Sequence, residues 1–202
     1  MKLYYSPGAS SMAPHMILRE AGFSFELEKV DLAAGKTAAG EDYRRINPKG
    51  YVPALVLDDG ELLTESAVIL QYLADLKPQT HLAPPLGTRE RYRLMEWLNF
   101  IATEMHKPLG ALFHPKITPE WRENQLALFS RRCDFLEGQM GTRAYLMGDR
   151  YTVADAYLFT ILHGADVLQV DMARWPALRG YMARVAERPA VKETLRVEGL
   201  MP

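Results

Sequence analysis

A change of hydrophobic period near residue 80 divides this chain of 202 residues into two parts. Before that point, short strand-like runs alternate with short helical segments. After it, apolar residues recur at helical spacing, and the second part is predicted to be all-helical. A proline-rich connector at residues 77–87 lies between the two patterns. The sequence therefore predicts two domains, at residues 1–80 and 87–202.

The first part has the pattern β-α-β-α-β-β-α. We predict strands at residues 2–5, 25–30, 52–57 and 61–63, and helices at residues 11–20, at residues 41–46 and from residue 64. Strands that alternate with helices in this way predict a small mixed sheet with parallel crossovers.

The second part contains several helix signals. An apolar stripe on the first helix is formed by Leu94, Leu98, Ile101 and Met105, and Pro108 is expected to bend or end that helix. Helix starts are indicated at Thr118-Pro119-Glu120, at Thr152 with Asp155, at Pro176 and at Pro189. On the helix after Thr118, one face is shared by Leu126, Phe129, Cys133, Leu136 and Met140.

The composition is that of an ordinary globular protein, with 48% apolar and 24% charged residues. A net charge of −1 disfavours a general nucleic-acid binder, which usually shows a basic surface. No apolar run approaches the roughly 18 residues that span a bilayer, and MKLYYSPGASS lacks the apolar core of a signal peptide. With one cysteine, Cys133, no internal disulfide is possible. We therefore expect a cytoplasmic protein with no nucleic-acid partner and no membrane partner.

The stretch at residues 47–73 bears most directly on function. Pro53 holds Val52 extended and the Val52-Pro53 bond can be cis, so the Val52 backbone groups are candidates for an outside partner. A helix then begins at Glu65-Ser66, where unpaired N–H groups attract carboxylates and the Ser66 hydroxyl adds a donor. The pattern suits a small ligand with a carboxylate and a peptide-like backbone. A simple N-cap and a proline in an edge strand explain the spacing equally well.

A polar stripe on the first helix after the connector is a second candidate. Asn99, Thr103 and His106 are spaced i, i+4 and i+7, and Lys107 follows. Such side chains are usually only solvated. On this helix, however, they would face the smaller domain, and a cleft between domains is the default ligand site. His106 can titrate near neutral pH, and Lys107 can hold an anion.

Taken together, motifs from both parts resemble the glutathione transferases, and in particular the bacterial beta class. The resemblance covers essentially the whole chain. Its first-part motifs are Tyr4-Tyr5-Ser6-Pro7-Gly8-Ala9, Asn47-Pro48-Lys49-Gly50, Val52-Pro53-Ala54-Leu55 and Leu63-Thr64-Glu65-Ser66. Its second-part motifs are Glu96-Trp97-Leu98-Asn99, Glu104-Met105-His106-Lys107 and Thr152-Val153-Ala154-Asp155-Ala156-Tyr157-Leu158-Phe159.

The resemblance implies a thioredoxin-like α/β N-terminal domain, an all-α C-terminal domain and a homodimer with the glutathione site in the interdomain cleft. Glu65 and Ser66 would hold the γ-glutamyl end of glutathione, and the Val52 backbone would pair with the cysteinyl amide beside a cis Pro53. The side facing the helical domain would be formed by Asn99, Thr103, Glu104, His106 and Lys107. Thr152 and Asp155 would be a folding cap. Glutathione would be the co-substrate, with no metal or other cofactor, in the detoxification of small apolar electrophiles.

The chain departs from the beta class at position 10, where that class typically carries cysteine and this chain has Ser10. A hydroxyl cannot form a mixed disulfide, which excludes thiol–disulfide exchange through this position. It can still donate to a glutathione thiolate and lower the thiol pKa from roughly 8.5. Ser10 is therefore our first catalytic candidate, followed by Ser11 and Tyr5, with His106 as a polar or acid–base partner. Alternatively, one of the serines only caps the helix from Met12, and Tyr5 is a buried strand aromatic.

Two further assignments follow from the resemblance. The class often places a lysine near position 35 for the glycyl carboxylate; here position 35 is Gly, and Lys36 is the adjacent candidate or a solvated surface lysine. The pocket for the electrophile would be built from variable residues such as Met12, Leu109, Leu112, Phe113 and His163. Cys133, on the apolar face of its helix, is expected to be a buried structural thiol.

Two other classes of function remain open. The first is a non-catalytic protein that binds glutathione, its conjugates or apolar ligands, which the missing cysteine permits. The second is a protein-interaction module of the starvation-regulator type, which shares the fold without binding glutathione. The Glu65-Ser66 pair disfavours the second class.

Overall fold

The structure of the chain, a computed structural model, describes residues 1–141 and 143–201. It contains two compact units. The first comprises Met1–Thr80 together with the residues from Arg188 onward, and the second comprises His81–Glu187. Packing thus assigns the last residues to the first unit, whereas the sequence pattern grouped them with the helical part. The division into domains 1–80 and 87–202 stays a prediction.

The first unit contains a mixed sheet. Its strands are β1 (Lys2–Tyr5), β2 (Glu26–Asp31), β3 (Lys36–Thr37), β4 (Ala54–Val56) and β5 (Leu62–Thr64). Their order across the sheet is β3-β2-β1-β4-β5. β1 and β2 are parallel, while the other neighbours are antiparallel. The predicted mixed sheet with a parallel crossover is confirmed.

Nine α-helical segments are found among the described residues. They are α1 (Met12–Glu20), α2 (Tyr43–Ile46), α3 (Ser66–Leu76), α4 (Arg89–Phe100), α5 (Lys107–Leu112), α6 (Pro119–Met140), α7 (Val153–Val167), α8 (Pro176–Ala186) and α9 (Pro189–Val197). A 3₁₀ turn at Pro78–Thr80 follows α3, and a π-helical segment at Ile101–His106 joins α4 to α5. The starts predicted at Pro176 and Pro189 are confirmed.

α1 forms the centre of the first unit on the helical side of the sheet. It connects the parallel strands β1 and β2, and it packs against α3 and α9. All residues from Met12 to Leu18 are buried, including His15. α9 joins this unit because its buried residues, among them Val191 and Leu195, cover α1.

α7 forms the centre of the second unit. Twelve of its fifteen residues are buried, and it packs against α4, the π-helical segment, α5 and α8. The predicted apolar stripe is buried: Leu94 and Leu98 lie on α4, and Ile101 and Met105 lie on the π-helical segment that follows it. On α6 the predicted face is buried except for Leu126, which is half-buried.

One strand was not predicted. β3 consists of Lys36 and Thr37 only, and it pairs with Val30 and Asp31 of β2. Two residues are too few to show the alternation of apolar and polar side chains that identifies a strand. The other predicted strands and helices are present, with ends that differ by one to a few residues.

Pro108 does not end the helix that contains it. The chain continues from the π-helical segment into α5, and Pro108 lies at the start of α5. A proline inside a helix lacks the N–H that would bond four residues back, and its ring clashes with that carbonyl. The wider π-helical turns before Pro108 change this hydrogen-bonding register and accommodate the ring. The expected break is therefore a local change of helix type.

Side-chain caps fix several helix starts in the second unit. Thr118 accepts a hydrogen bond from the Trp121 N–H, as predicted. At α7 the Asp155 carboxylate accepts from the Thr152 N–H at 2.8 Å and from its hydroxyl at 2.9 Å, which confirms the predicted cap. Cys133 is fully buried and burial raises its pKa to about 12, so the structural thiol is confirmed. No helix among the described residues is long and apolar enough to span a bilayer.

Candidate functional site

Ser10 lies at the meeting point of three chain segments in the first unit. Its hydroxyl donates a hydrogen bond to the Val52 carbonyl at 3.1 Å. Ser66, the first residue of α3, is buried, and its hydroxyl donates to the Ser10 carbonyl at 3.4 Å. These partners are 42 and 56 residues away in sequence. The structure thus brings together three of the predicted site residues.

Ser11 belongs to the same loop but has a different role. It occupies the N-cap position of α1 and its backbone is in the right-handed helical region, so its side chain makes no capping hydrogen bond. The buried hydroxyl accepts from the Ser6 N–H at 3.2 Å and donates to the Ser6 carbonyl at 3.3 Å. The expectation that a serine side chain caps α1 is therefore wrong. Ser11 closes the loop that carries Ser10.

A buried polar network holds the other end of this loop. The Gly8 N–H donates to Oε2 of Glu198 at 2.9 Å, and Oε1 of the same carboxylate lies 2.7 Å from Nδ1 of His15. Nε of Arg19 donates to Nε2 of His15 at 2.9 Å, which assigns the imidazole proton to Nδ1. Both His15 and Glu198 side chains are fully buried. The C-terminal segment therefore fixes the backbone of the Ser10 loop.

The segment before Pro53 is a rigid backbone frame. The Val52-Pro53 peptide bond is cis, as the sequence analysis allowed. The carbonyl of the preceding residue, Tyr51, accepts from the Tyr43 hydroxyl at 3.0 Å and from Nδ2 of Asn47 at 2.7 Å. Among residues 1–141 and 143–201, the Val52 N–H has no hydrogen-bond acceptor. The Val52 carbonyl, by contrast, is already bonded to Ser10, which corrects the expectation that both backbone groups are free.

The Glu65 carboxylate lies beside the start of α3. It accepts from the Tyr51 hydroxyl at 2.6 Å and from Nζ of Lys49 at 2.8 Å. Lys49 also donates to the Thr64 hydroxyl at 2.9 Å. The hydrogen bond with Glu65 raises the pKa of both Tyr51 and Lys49. Both groups thus remain protonated donors that orient the carboxylate.

Among the described residues, two other first-unit candidates, Tyr5 and Lys36, make no hydrogen bond to this cluster. Tyr5 ends β1, its ring lies 6.0 Å from the His15 ring, and its pKa is raised by burial and by the nearby Glu198 charge. Lys36 is exposed on β3, at the opposite edge of the sheet from β5. Among the residues that the structure describes, neither side chain hydrogen-bonds to Ser10.

The polar candidates of the second unit differ in exposure and in their hydrogen-bond partners. Asn99 and Thr103 are exposed, and the Thr103 hydroxyl donates to the Asn99 carbonyl of its own helix. Glu104 forms an ion pair with Arg132 of α6 at 2.5 Å. Lys107 is exposed at the start of α5.

His106 is half-buried and lies against α7. Its Nδ1 is 2.9 Å from the Tyr157 hydroxyl, and the two rings meet edge to face at 5.9 Å. The α-helical spacing placed His106 on one face with Asn99 and Thr103. Because the segment is π-helical, each turn takes more residues, so that spacing does not apply.

The residues proposed for the apolar pocket are mostly buried. Met12 is fully buried in the first unit. In the second unit Leu109 and Leu112 are buried, whereas the Phe113 side chain is about half exposed. Leu109 and Phe113 both lie next to Gly164 of α7.

Several residues of the site were not predicted. Lys49 and Tyr51 orient Glu65, and the quoted Asn-Pro-Lys-Gly motif was the one signal that pointed to Lys49. Glu198 and His15 lie 183 residues apart, and no sequence pattern predicts their contact. A buried pair between the C-terminal segment and α1 leaves no trace in the residues next to either partner. Tyr157, the hydroxyl partner of His106, lies within the motif at residues 152–159, but that motif predicts only a helix cap.

The first-unit cluster offers a defined set of chemical groups. These are a backbone N–H and C=O at Val52, a hydroxyl at Ser10, a carboxylate at Glu65 and the N-terminus of α3 with Ser66. An extended peptide can pair with the N–H and C=O of Val52. An ammonium group can pair with the Glu65 carboxylate, and a carboxylate can bind at the N-terminus of α3. No cluster of three His, Cys, Asp or Glu suited to a metal occurs among the described residues.

Comparisons with known proteins agree with this chemistry. The model of the glutathione S-transferase N-terminal domain matches residues 9–76, and that of the C-terminal domain matches residues 119–184. The chain is 44% identical to glutathione S-transferase GstA of Escherichia coli O157:H7 over 200 residues, which is 99% of this chain and 100% of the relative.

Solved structures give the same result. The chain matches BphK, a bacterial glutathione transferase solved as a ternary complex, with a TM-score of 0.97 and 49% identity over 99% of this chain and 100% of that one. It also matches a sphingomonad glutathione S-transferase complexed with glutathione, with a TM-score of 0.96 and 45% identity over 100% of both chains. The thioredoxin-like unit with its mixed sheet and the helical unit are thus the expected fold. The chain belongs to the bacterial glutathione S-transferase family.

Proposed function

We propose that this transferase conjugates the thiolate of glutathione to small, mostly apolar electrophiles, and that Ser10 replaces a catalytic cysteine. The observation that carries the proposal is the convergence of Ser10, Val52 and Ser66, which are joined by two hydrogen bonds. It puts a hydroxyl, a peptide backbone and a helix N-terminus within one hydrogen-bonded cluster.

The peptide part of glutathione is assigned to groups of this cluster. Its γ-glutamyl carboxylate is held by the start of α3 and Ser66, and its ammonium group by Glu65, which Lys49 and Tyr51 orient. The cysteinyl N–H and C=O pair with the C=O and N–H of Val52, beside Pro53. The hydrogen bonds that Tyr43 and Asn47 donate to the Tyr51 carbonyl keep this backbone in place.

The sulfur is activated by hydrogen bonding. A hydroxyl that donates to the thiolate favours the charged form, and the N-terminal end of α1 adds a favourable field, so the thiol pKa falls below roughly 8.5. The thiolate then attacks the electrophilic carbon. A carbon–sulfur bond forms as the leaving group, such as chloride from an aryl chloride, departs with its bonding electrons.

Other parts of the proposal rest on the family resemblance. Asn99, Thr103, Glu104, His106 and Lys107 serve the glutathione site from the helical unit, Lys36 contacts the glycyl carboxylate, and Met12, Leu109, Leu112, Phe113 and His163 form the electrophile pocket. The enzyme acts as a cytoplasmic homodimer. Tyr5 is an alternative hydroxyl donor to the thiolate, and Ser11 stabilises the loop that carries Ser10.

The test is a titration of the thiolate absorbance of bound glutathione in the wild type and in Ser10→Ala, Ser11→Ala and Tyr5→Phe. We expect the wild type to lower the thiol pKa and Ser10→Ala to restore most of the free value, because the donor to sulfur is lost. An unchanged pKa in Ser10→Ala would refute the role of Ser10.

A rate measurement separates the proposal from the alternative binding function. Conjugation of a nitro-activated aryl chloride should exceed the uncatalysed rate in the wild type. Tight binding of glutathione without any such acceleration would instead identify a non-catalytic binding protein. A chain that fails to bind a glutathione column would fit the protein-interaction module.

A further inference from the structure

The hydroxyl assigned to the sulfur has another partner in the structure. Ser10 donates to the Val52 carbonyl at 3.1 Å, and this carbonyl is the acceptor assigned to the cysteinyl N–H of glutathione. We propose that the cysteinyl N–H displaces the Ser10 hydroxyl from the Val52 carbonyl and thereby turns the hydroxyl toward the sulfur. The Ser10–Val52 pair would then determine specificity for peptide thiols. This inference rests on the proposed function.

The Val52 carbonyl is the fixed member of the pair. Val52 is buried, and Pro53 after it has a restricted backbone without an N–H. On its other side, the Tyr51 carbonyl is bonded to both Tyr43 and Asn47. The peptide units around Val52 are therefore held in one orientation, so an incoming donor meets a carbonyl that already accepts from the Ser10 hydroxyl.

The Ser10 hydroxyl is the movable member. The Ser10 backbone carbonyl accepts from the Ser66 hydroxyl and from the Ala13 N–H, both at 3.4 Å, so the main chain is held. The side chain has one rotatable bond to its hydroxyl-bearing atom, with three staggered positions. A half-buried serine hydroxyl can change acceptor by this rotation alone, without movement of the loop.

A consequence is that activation depends on the peptide bond of the thiol substrate. A thiol that carries an N–H in the cysteinyl position takes the Val52 carbonyl and receives the Ser10 hydrogen bond. A thiol without that N–H leaves Ser10 on Val52 and keeps its ordinary pKa. The site would thus distinguish thiols by activation, and not only by affinity.

The first test compares glutathione with its ester analogue, in which oxygen replaces the cysteinyl N–H. Both are titrated by thiolate absorbance at saturation, with binding measured separately by calorimetry. We expect a lowered thiol pKa for glutathione and an unshifted one for the bound ester, and no difference between the two on Ser10→Ala. An equally lowered pKa for both thiols on the wild type would overturn the inference and leave the proposed function intact. An unshifted pKa for bound glutathione itself would refute the proposed function.

The second test needs no thiol and decides the matter if the ester binds too weakly to saturate. The desthio analogue, γ-glutamyl-aminobutyryl-glycine, keeps the cysteinyl N–H but has no sulfur. Because Ser10→Ala removes the competing donor, this variant should bind the analogue about 2- to 10-fold more tightly than the wild type does. Ser24→Ala, an exposed serine of the same unit, is the control and should bind like the wild type. Equal or weaker binding by Ser10→Ala would contradict the displacement.

Discussion

Glu65 has a backbone conformation that side chains rarely adopt, with φ of 72° at the start of α3. Such conformations cost free energy and persist where the surroundings hold them. Here Lys49 and Tyr51 hold the carboxylate from one side, and α3 begins on the other. The carboxylate is thereby fixed next to a helix N-terminus, where its charge can pair with an ammonium group of the ligand.

At this residue scale, we predict that Glu65→Gln weakens glutathione binding by about 10-fold or more, since a charge-assisted hydrogen bond becomes a neutral one. Isothermal calorimetry on the full chain measures the change. Glu61→Gln, an exposed carboxylate in the turn before β5, is the matched control and should bind glutathione normally. Equal affinities for both variants would exclude Glu65 from the ammonium site.

Asp155 is a second residue whose environment has measurable consequences. Burial raises its pKa from 3.8 to about 6, even though it accepts hydrogen bonds from Leu146, Thr152 and Tyr181. Between these two pH values the folded protein binds a proton that the unfolded chain has released. The contribution of Asp155 to stability is therefore fully present below about pH 4 and is lost as the pH rises through 6.

We predict that the wild type gains about 2 kcal/mol in free energy of unfolding relative to Asp155→Asn when the pH falls from 7 to about 4.5. Urea unfolding of both proteins at each pH gives the difference, in which the other titrating groups cancel. A difference that is independent of pH would show that the Asp155 pKa is not raised.

At the scale of elements, the position of α7 depends on a close contact with α5. A Cβ atom added at Gly164 would come within 3.1 Å of Cδ2 of Leu109 and within 3.9 Å of the Phe113 ring. Since α7 is buried on nearly all sides, it cannot shift easily to relieve such a contact. Gly164 thus sets the separation of the two helices.

Gly164→Val is predicted to destabilise the protein by about 1–3 kcal/mol, because it overfills the interface between α5 and α7. Gly180→Ala is the control in the exposed interior of α8, where an added Cβ meets nothing within 4 Å. It should raise stability by about 0.5–1 kcal/mol through helix propensity. Thermal or urea unfolding measures both changes. A Gly164→Val variant as stable as the wild type would show that the interface between α5 and α7 accommodates the larger side chain.

At the scale of the whole molecule, the end of the chain supports its beginning. Glu198 bonds the Gly8 N–H in the loop that carries Ser10, and it bonds His15 inside α1. Because both carboxylate oxygens are used, removing the side chain leaves the fully buried His15 and the part-buried Gly8 N–H without this acceptor.

Glu198→Ala is accordingly predicted to destabilise the protein by about 3 kcal/mol or more in urea unfolding. It should also accelerate hydrogen exchange of the Gly8 amide more than that of other amides. A general loss of stability would instead accelerate exchange throughout the protein. Glu193→Ala, which removes an exposed partner of Arg196 on the same helix, should change little. Similar behaviour of both variants would argue against a supporting role for the C-terminal segment.

The sequence by itself determined the elements whose signals are local. The strand at Lys2–Tyr5, the helix starts at Thr118, Pro176 and Pro189, and the cap of α7 all depend on neighbouring residues. The motif resemblance also determined the family, since its motifs occur in order along the whole chain. It further identified Ser10, Val52, Glu65 and Ser66 as candidates for one site.

Only the tertiary structure decided how the candidates are connected. The Ser10–Val52 bond, the orientation of Glu65 by Lys49 and Tyr51, and the Glu198–His15 pair join residues far apart in sequence or on different elements. It also showed the two-residue strand β3 and the π-helical segment before Pro108. Such features depend on long-range packing and on which buried polar groups find hydrogen-bond partners. Their free energies arise only in the assembled fold, so no local pattern of residues encodes them.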